Sequence, residues 1–376
     1  MIYFDNAATT VPSKSAKEAF LKASEIYANP SSTHFAGIEA DELLRESRSI
    51  IAKTLGAKEN EIIFTPSGTF ANNIAIIGAA RAKKRSGDHI IISDSEHPSV
   101  YNTAIALEKE GFKVSMLKTN KGKIMPEGLK ALVTPKTVLI SIMLTNNETG
   151  AIYDVPKLVR AAKSVNKNVL FHTDAVQAYL KQSVNVISLG VDLLSVSSHK
   201  IHAFKGSGAL YIKRGVRIEG ITYGGGQEKG LCCGTESVPL IYAFAKAARE
   251  KHESLTDNYK YVASLKEYVQ NKLYTLGCTV NASENSSPYI LSVTVPGIRS
   301  EILLNFLSNE KICISAGSAC SAKVKESRVL KAFGLDDKTI DTTVRISFSE
   351  HNTIDEADVL SNAVERALKT LTKNIK

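Results

Sequence analysis

The chain has 376 residues with 43% hydrophobic and 23% charged side chains, which is typical of a globular protein and excludes a largely disordered one. The formal net charge is +9, and the basic residues are scattered along the chain. Their densest cluster, residues 81–85, is interpreted as a solvated helix face and does not favour a nucleic-acid partner. No apolar run reaches the roughly 18 residues of a membrane helix, and the N-terminus lacks signal-peptide features, so we expect a cytoplasmic protein without a membrane partner.

Helices alternate with short apolar strands from about residue 15 to 250. Helical spacing over 36–55 ends at Gly56, and further helices are predicted near 69–82 and 98–110. The predicted strands, in chain order, are 61–65, 89–93, 113–117, 137–144, 169–175, 192–198 and 208–213. Strands separated by helices predict an α/β fold with a mostly parallel sheet covered on both faces.

The length suggests about two domains. A long helical stretch over 240–275 is expected to bridge them, and the chain changes character after it. Residues 290–295 and 343–349 are predicted strands of a smaller α+β unit, and 354–372 its last helix. We therefore predict a large domain at 15–250 and a small domain formed by residues 1–14 and 251–376.

The strongest local motif is SVSSHKIHAFKG at 195–206, in which a strand ends just before Lys200. A lysine at the carboxyl end of a strand can form a Schiff base with an aldehyde cofactor, and ligands of open α/β sheets bind at that end. For a lysine considered alone, a surface position is the better interpretation. Here four further motifs suit the same cofactor.

Two of these motifs are suited to a pyridine ring and a phosphate. Asp174 in HTDAVQ (172–177) can pair with a protonated pyridine nitrogen, and Gln177 can donate to the ring's phenolic oxygen, although aspartate is also a common helix N-cap. In FTPSGTFANN (64–73), Gly68 and Thr69 offer amide and hydroxyl donors to a phosphate at a helix N-terminus. Small residues open many other helices, so this motif is weak by itself.

Two more motifs offer an imidazole and a thiol. His97 in SEHPSV (95–100) can stack on a flat ring and move protons, with a structural histidine as the alternative. Small residues surround Cys320 in ISAGSACSA (314–322) and predict an exposed, mobile loop, in which a thiol can ionise. Cys313, in an apolar run, is expected in the core.

The spacing of the five cysteines does not indicate a disulfide framework. Their number is odd, and no C-x-x-C pair occurs, which argues against a disulfide scaffold and against a structural zinc site. We therefore predict no metal ligands. The cysteines are Cys232, Cys233, Cys278, Cys313 and Cys320.

Taken together and in order, these motifs resemble the NifS-type cysteine desulfurases, which are pyridoxal-phosphate (PLP) enzymes of fold type I in the class V aminotransferase group. The match covers nearly the whole chain. Beyond the motifs above, it includes YFDNAATT at the start, NPSSTHFAG (29–37), NNETG (146–150), GGGQE (224–228), GTES (234–237) and TVRIS (343–347).

The resemblance implies a set of cofactor contacts. Those to the ring and its aldehyde are implied for Lys200, Asp174, His97, Gln177 and Asn147. Those to the phosphate are implied for Gly68, Thr69, Ser197 and His199, with Thr235 reaching the phosphate of the partner subunit in a homodimer.

The resemblance also implies the reaction. Arg345 and Asn147 would bind the substrate L-cysteine, and Lys200 and His97 would move protons. Cys320 would take the sulfur as a persulfide, leaving L-alanine, and pass it to an acceptor protein. An iron–sulfur scaffold, a tRNA-thiolation enzyme and a thiamine-pathway carrier are all open as acceptors.

The chain departs from the family pattern in four places, namely Phe70 in the phosphate turn, where an acidic residue is common, Ala203-Phe204 after the lysine turn, Cys232-Cys233 before GTES, and SEHNT at 349–353. Alternatives therefore stay open. A selenocysteine lyase or another class V aminotransferase-like enzyme would share the fold, and a non-catalytic scaffold or an RNA-binding protein is a more distant alternative.

Overall fold

A computed structural model describes residues 1–316 and 327–371. The strands are β1 (Ile2–Tyr3), β2 (Ile62–Thr65), β3 (His89–Ser93), β4 (Lys113–Leu117), β5 (Thr137–Ser141), β6 (Leu170–Asp174), β7 (Leu193–Ser197), β8 (Gly208–Ile212), β9 (Thr279–Val280), β10 (Ile290–Thr294), β11 (Ile312–Cys313) and β12 (Thr343–Ser347).

The α-helices are α1 (Lys14–Ser24), α2 (Phe35–Leu55), α3 (Gly68–Lys83), α4 (Pro98–Glu108), α5 (Pro126–Leu132), α6 (Val155–Val165), α7 (Val186–Leu189), α8 (Val238–Glu253), α9 (Leu255–Thr275), α10 (Ser300–Asn309), α11 (Arg328–Phe333), α12 (Asp337–Asp341) and α13 (Ile354–Leu371). None of these helices is long and apolar enough to cross a membrane.

The central sheet has seven strands in the order β2-β8-β7-β6-β5-β3-β4. The five from β7 to β4 pair in parallel, and β3, β5, β6 and β7 are buried along their whole length because helices cover both faces. The predicted mostly parallel sheet is confirmed. At one end β8 runs antiparallel to both β7 and β2, so β2 has the same direction as β7.

A second hydrophobic core surrounds a three-stranded antiparallel sheet, β12-β10-β9. The N-terminal strand β1 pairs with β11, and Phe4 is completely buried in this core. This arrangement supports the division into 15–250 and 1–14 with 251–376, which we retain as a proposal.

Local sequence signals account for most element ends. Gly56 adopts the left-handed conformation that ends α2, and the Ser67 hydroxyl accepts from the Phe70 amide at the start of α3. The helical stretch predicted over 240–275 is two helices, α8 and α9, which meet at Ser254. Cys313 is half-buried in β11, so its expected place in the core is wrong.

Candidate functional site

The carboxyl ends of β2, β6 and β7 lie at one edge of the central sheet. Thr65 and Ser197, the last residues of β2 and β7, both pair with Gly208 of β8. Asp174 ends the neighbouring parallel strand β6, and Lys200 follows β7 in a short 3₁₀ turn. The topology therefore gathers three of the sequence motifs at the edge where α/β sheets bind ligands.

Lys200 lies against the N-terminal segment of the chain. Its Nζ donates hydrogen bonds to the carbonyl oxygens of Ala7 at 2.6 Å and Ala8 at 2.7 Å. Gln177 Nε2 donates to the same Ala7 oxygen at 2.8 Å. Because the amine and the amide share an acceptor, the structure brings Lys200 and Gln177 together, as their predicted roles require.

The carboxylate of Asp174 is buried and held by two donors. Oδ1 accepts from the Val176 amide at 2.9 Å, and Oδ2 accepts from Asn72 Nδ2 at 2.7 Å. Asn72 also donates to the Ser99 hydroxyl at 2.8 Å. Sequence reasoning did not assign Asn72 a role, although an amide within the apolar part of α3 was a usable signal. Asn72 and the Val176 amide together fix the orientation of the Asp174 carboxylate.

His97 is the N-cap residue of α4 and is half-buried. Its Nδ1 accepts from the Ser99 amide at 3.1 Å, so Nε2 carries the proton in the neutral ring. Burial lowers the pKa of His97, the nearby Asp174 carboxylate opposes this shift, and Lys200 adds to it. The imidazole is therefore neutral near pH 7 and can donate from Nε2.

The N-terminus of α3 forms a cradle for an anion. At Gly68, the first residue of α3, an added Cβ would lie 2.8 Å from Val176 Cγ2 and 3.1 Å from Ser197 Cβ. The Ser197 hydroxyl is buried without a hydrogen-bond partner, and Thr69, the second residue of α3, is exposed. Burial lowers the pKa of His199 to about 3, so this ring is neutral. The donors fit a phosphate bound at a helix N-terminus.

Arg345, on β12, is buried and its guanidinium makes two hydrogen bonds within the protein. Its Nη1 donates to the Asn147 carbonyl at 2.8 Å and its Nη2 to Asp5 Oδ1 at 3.0 Å. Arg345 Nε and Asn147 Oδ1 are both buried without a partner. The guanidinium is thus held between Asn147 and the carboxylate of Asp5.

Cys320 lies outside the described residues. Ser327, the first described residue after 317–326, donates to Glu148 Oε2 at 2.6 Å, and burial raises the pKa of Glu148 to about 7. Sequence reasoning gave Glu148 no role.

Thr235 is exposed, so its predicted contact with a partner subunit stays a prediction.

Comparisons with known proteins identify relatives over nearly the whole chain. The model of the family described as "Aminotransferase class-V" matches residues 2–360. A "NifS/IcsS protein homolog" of Lactobacillus delbrueckii subsp. bulgaricus is 40% identical, covering 99% of this chain and 98% of that protein. A "Cysteine desulfurase" of Nostoc sp. is 37% identical, covering 97% and 93%.

Solved structures show the same fold. One described as "NIFS-LIKE PROTEIN" has a TM-score of 0.94 at 36% identity and covers 98% of this chain and 99% of its own. Another, "SspA in complex with cysteine", has a TM-score of 0.84 at 32% identity and covers 94% and 100%.

Proposed function

This chain belongs to the aminotransferase class-V family, and from that membership and its site we propose that it is a PLP-dependent cysteine desulfurase. The observation that carries the proposal is the convergence of Lys200, Gln177 and Asp174 beside an anion cradle at one sheet edge. Relatives over nearly the full length are named cysteine desulfurase, which supports this activity over others of the family.

The described residues fit a phosphorylated pyridine aldehyde. PLP, when bound, supplies an aldehyde carbon for Lys200 and a ring that accepts electrons from the substrate. Asp174 would pair with the pyridine nitrogen, and His97 would stack on the ring. The Gly68 amide and the unpaired Ser197 hydroxyl would hold the phosphate, together with Thr69 and His199.

The chain's own groups then bind cysteine and move its protons. Arg345 would exchange Asp5 for the substrate carboxylate, a task for which a guanidinium is suited. Lys200 Nζ, which donates to the carbonyls of Ala7 and Ala8, would remove the Cα proton. His97 would donate from Nε2 to the departing fragment.

Sulfur would pass to Cys320. The thiolate attacks the substrate sulfur, a sulfur–sulfur bond forms as the substrate Cβ–S bond breaks, and the remaining fragment is protonated and leaves as L-alanine. The persulfide sulfur then moves to an acceptor protein. The first two described residues after 317–326 are held by hydrogen bonds. Ser327 donates to Glu148, and Arg328 donates to the carbonyls of Asp94 and Glu96.

The decisive experiment is a single turnover of the PLP-loaded protein with L-cysteine. We expect alanine in an amount equal to enzyme, and the added mass of one sulfur atom on the peptide containing Cys320. Cys320→Ser should abolish both, whereas Cys233→Ser, a half-buried thiol, should preserve both. Alanine formed at an undiminished rate by Cys320→Ser would refute the proposal.

The alternatives give different results in the same assay. A selenocysteine lyase would keep releasing selenium from selenocysteine in the Cys320→Ser variant after sulfur release is lost. A non-catalytic scaffold would show no cofactor absorption band that disappears in Lys200→Ala.

We also propose that the protein is a cytoplasmic homodimer in which Thr235 contacts the phosphate held by the partner subunit. Its exposure on the single chain agrees with such a contact. Thr235→Ala should weaken PLP retention without changing the sedimentation of the dimer, and a monomer active at all concentrations would contradict the assignment.

A further inference from the structure

Three potential metal ligands meet at a cavity of about 150 Å³ next to α8. They are His202, which follows the lysine turn, and Glu350 and His351, which follow β12. One ligand atom from each lies within 4.8 Å of the others, and no second such group occurs in residues 1–316 and 327–371. Glu350 and His351 belong to SEHNT, a departure from the family pattern that the proposed reaction does not use.

His202 presents a buried lone pair to this cavity. Its Nδ1 lies 2.8 Å from the Val11 carbonyl, which can only accept, so Nδ1 carries the proton and Nε2 does not. The side chain is 3% exposed, and Nε2 has no hydrogen-bond partner. A backbone carbonyl on one ring nitrogen and a vacant lone pair on the other is the arrangement that metal-binding histidines adopt.

Glu350 supplies the anionic ligand. Its Oε1 is 3.6 Å from His202 Nε2. Lys251 Nζ bonds both carboxylate oxygens, at 2.7 Å to Oε1 and 3.0 Å to Oε2. A metal bound at Oε1 leaves Oε2 to Lys251, and ligating carboxylates are commonly hydrogen-bonded in this way. Glu250, which also lines the cavity, adds a second negative charge near the ion.

His351 completes the set from the solvent side. Its ring is exposed and lies edge-on to that of His202, with centroids 4.6 Å apart. A tetrahedral ion with bonds of about 2.0–2.1 Å holds its ligand atoms roughly 3.4 Å apart. The ligand atoms must therefore move inward by about 1 Å, which the exposed side chain can provide.

We propose that His202, Glu350 and His351 bind a divalent transition metal, with water in the fourth position. Two imidazoles and one carboxylate suit Zn²⁺, while Mg²⁺ and Ca²⁺ prefer oxygen ligands. The bound ion ties the loop that follows Lys200 to the segment that follows β12. The site is independent of the desulfurase proposal, since it shares no residue with that reaction.

The test is a titration of the full-length PLP-loaded protein with Co²⁺, followed by its visible d–d absorption and by equilibrium dialysis. The Cys320→Ser background removes the proposed reactive thiol as a competing ligand. We expect one Co²⁺ per chain, displaced by Zn²⁺ and not by Mg²⁺. His351→Phe changes an exposed side chain and should weaken binding at least tenfold, and Glu350→Gln should do the same.

His252→Phe, an exposed histidine on α8 outside the cluster, is the matched control and should bind Co²⁺ as the parent does. Circular dichroism establishes that each variant is folded. The proposal is overturned if the parent binds no Co²⁺, or if His351→Phe and Glu350→Gln both bind it with the parent's affinity.

Discussion

Several candidate site residues carry buried polar atoms without hydrogen-bond partners. Within the described residues they include Ser197 Oγ, Asn147 Oδ1, Arg345 Nε and Asn72 Oδ1. Each such atom costs about 1–3 kcal/mol relative to a satisfied one. Ser197 adjoins the start of α3 and Asn72 donates to Asp174, so two of these atoms belong to residues of the proposed cofactor site.

Ser197→Ala should therefore separate cofactor binding from folding. Because the hydroxyl has no partner in the protein, the cofactor-free variant should be as stable as the parent or slightly more stable. Loss of a hydrogen bond to a charged phosphate, about 1.5–3 kcal/mol, should weaken PLP binding roughly 10- to 100-fold. Fluorescence titration with PLP and thermal unfolding measure the two effects.

Ser195→Ala is the matched control for this substitution. Ser195 lies two residues earlier on β7, is fully buried, and its hydroxyl bonds His172 Nε2 at 3.0 Å. Its removal should lower the unfolding temperature with little effect on PLP affinity. If the two variants lose PLP affinity equally, Ser197 has no phosphate role.

Glu96 predicts a pH dependence of stability. Its side chain is completely buried, Oε1 accepts from the Met143 amide at 3.0 Å, and Oε2 has no partner. Burial raises the pKa of Glu96 to about 8, against an ordinary value near 4.5. The folded protein therefore holds a proton between these values that the unfolded chain releases.

The stability from this proton is fully present below about pH 4.5 and is lost as the pH rises through about 8. Glu96→Gln lacks the effect, so the parent's stability relative to the variant should fall with rising pH, by on the order of 1 kcal/mol per pH unit. Urea unfolding of the cofactor-free proteins at pH 5, 6.5 and 8 measures it, with the exposed Glu108→Gln as the net-charge control. A difference that does not change with pH would contradict the assignment.

At the scale of elements, the start of α3 is placed by a close contact that only glycine permits. Gly68→Ala would bring Cβ within 2.8 Å of Val176 and 3.1 Å of Ser197, so the first turn of the helix must shift. We expect PLP affinity to fall at least tenfold as the amides move off the phosphate position, measured by PLP titration.

Gly128→Ala is the control for a glycine inside a helix. Gly128 lies in α5, and an added Cβ there meets only Leu117 Cδ1 at an ordinary 3.6 Å. This change should leave PLP affinity unaltered and stabilise the protein by about 0.4–1 kcal/mol. Equal affinities of the two variants would mean that α3 does not hold the phosphate.

At the scale of the whole molecule, the N-terminal segment joins the second core to the site. Phe4 is completely buried in that core and packs edge-on against Phe348, with ring centroids 5.6 Å apart. A few residues later, the carbonyls of Ala7 and Ala8 accept from Lys200. The segment that accepts from the proposed cofactor lysine is therefore anchored in the second core.

Phe4→Ala should destabilise the protein by about 3–5 kcal/mol and lower the rate of alanine formation through misplacement of this segment. Thermal unfolding and the cysteine assay measure the two effects. Phe35→Ala, whose side chain is 83% exposed at the start of α2, should change neither. Full activity in a destabilised Phe4→Ala would separate the core from the site and contradict the coupling.

Much of the fold was readable from the sequence because its signals are local. Apolar strands bounded by turns, with Gly56 ending a helix, predicted most element positions and the mostly parallel sheet. The site motifs could be recognised for a related reason. Asp174 is the last residue of its strand, His97 and Lys200 follow theirs within a few residues, and parallel strands bring their carboxyl ends to one edge.

Only the tertiary structure decided the contacts between distant segments. The antiparallel pairing of β8 with β2, the bond from Asn72 to Asp174, the bond from Arg345 to Asp5 and the contact of His202 with Glu350 all join residues far apart in the chain. Such contacts depend on the packing of complete elements and leave no periodic pattern in the sequence. For that reason the sequence alone predicted a cofactor lysine and no metal ligands.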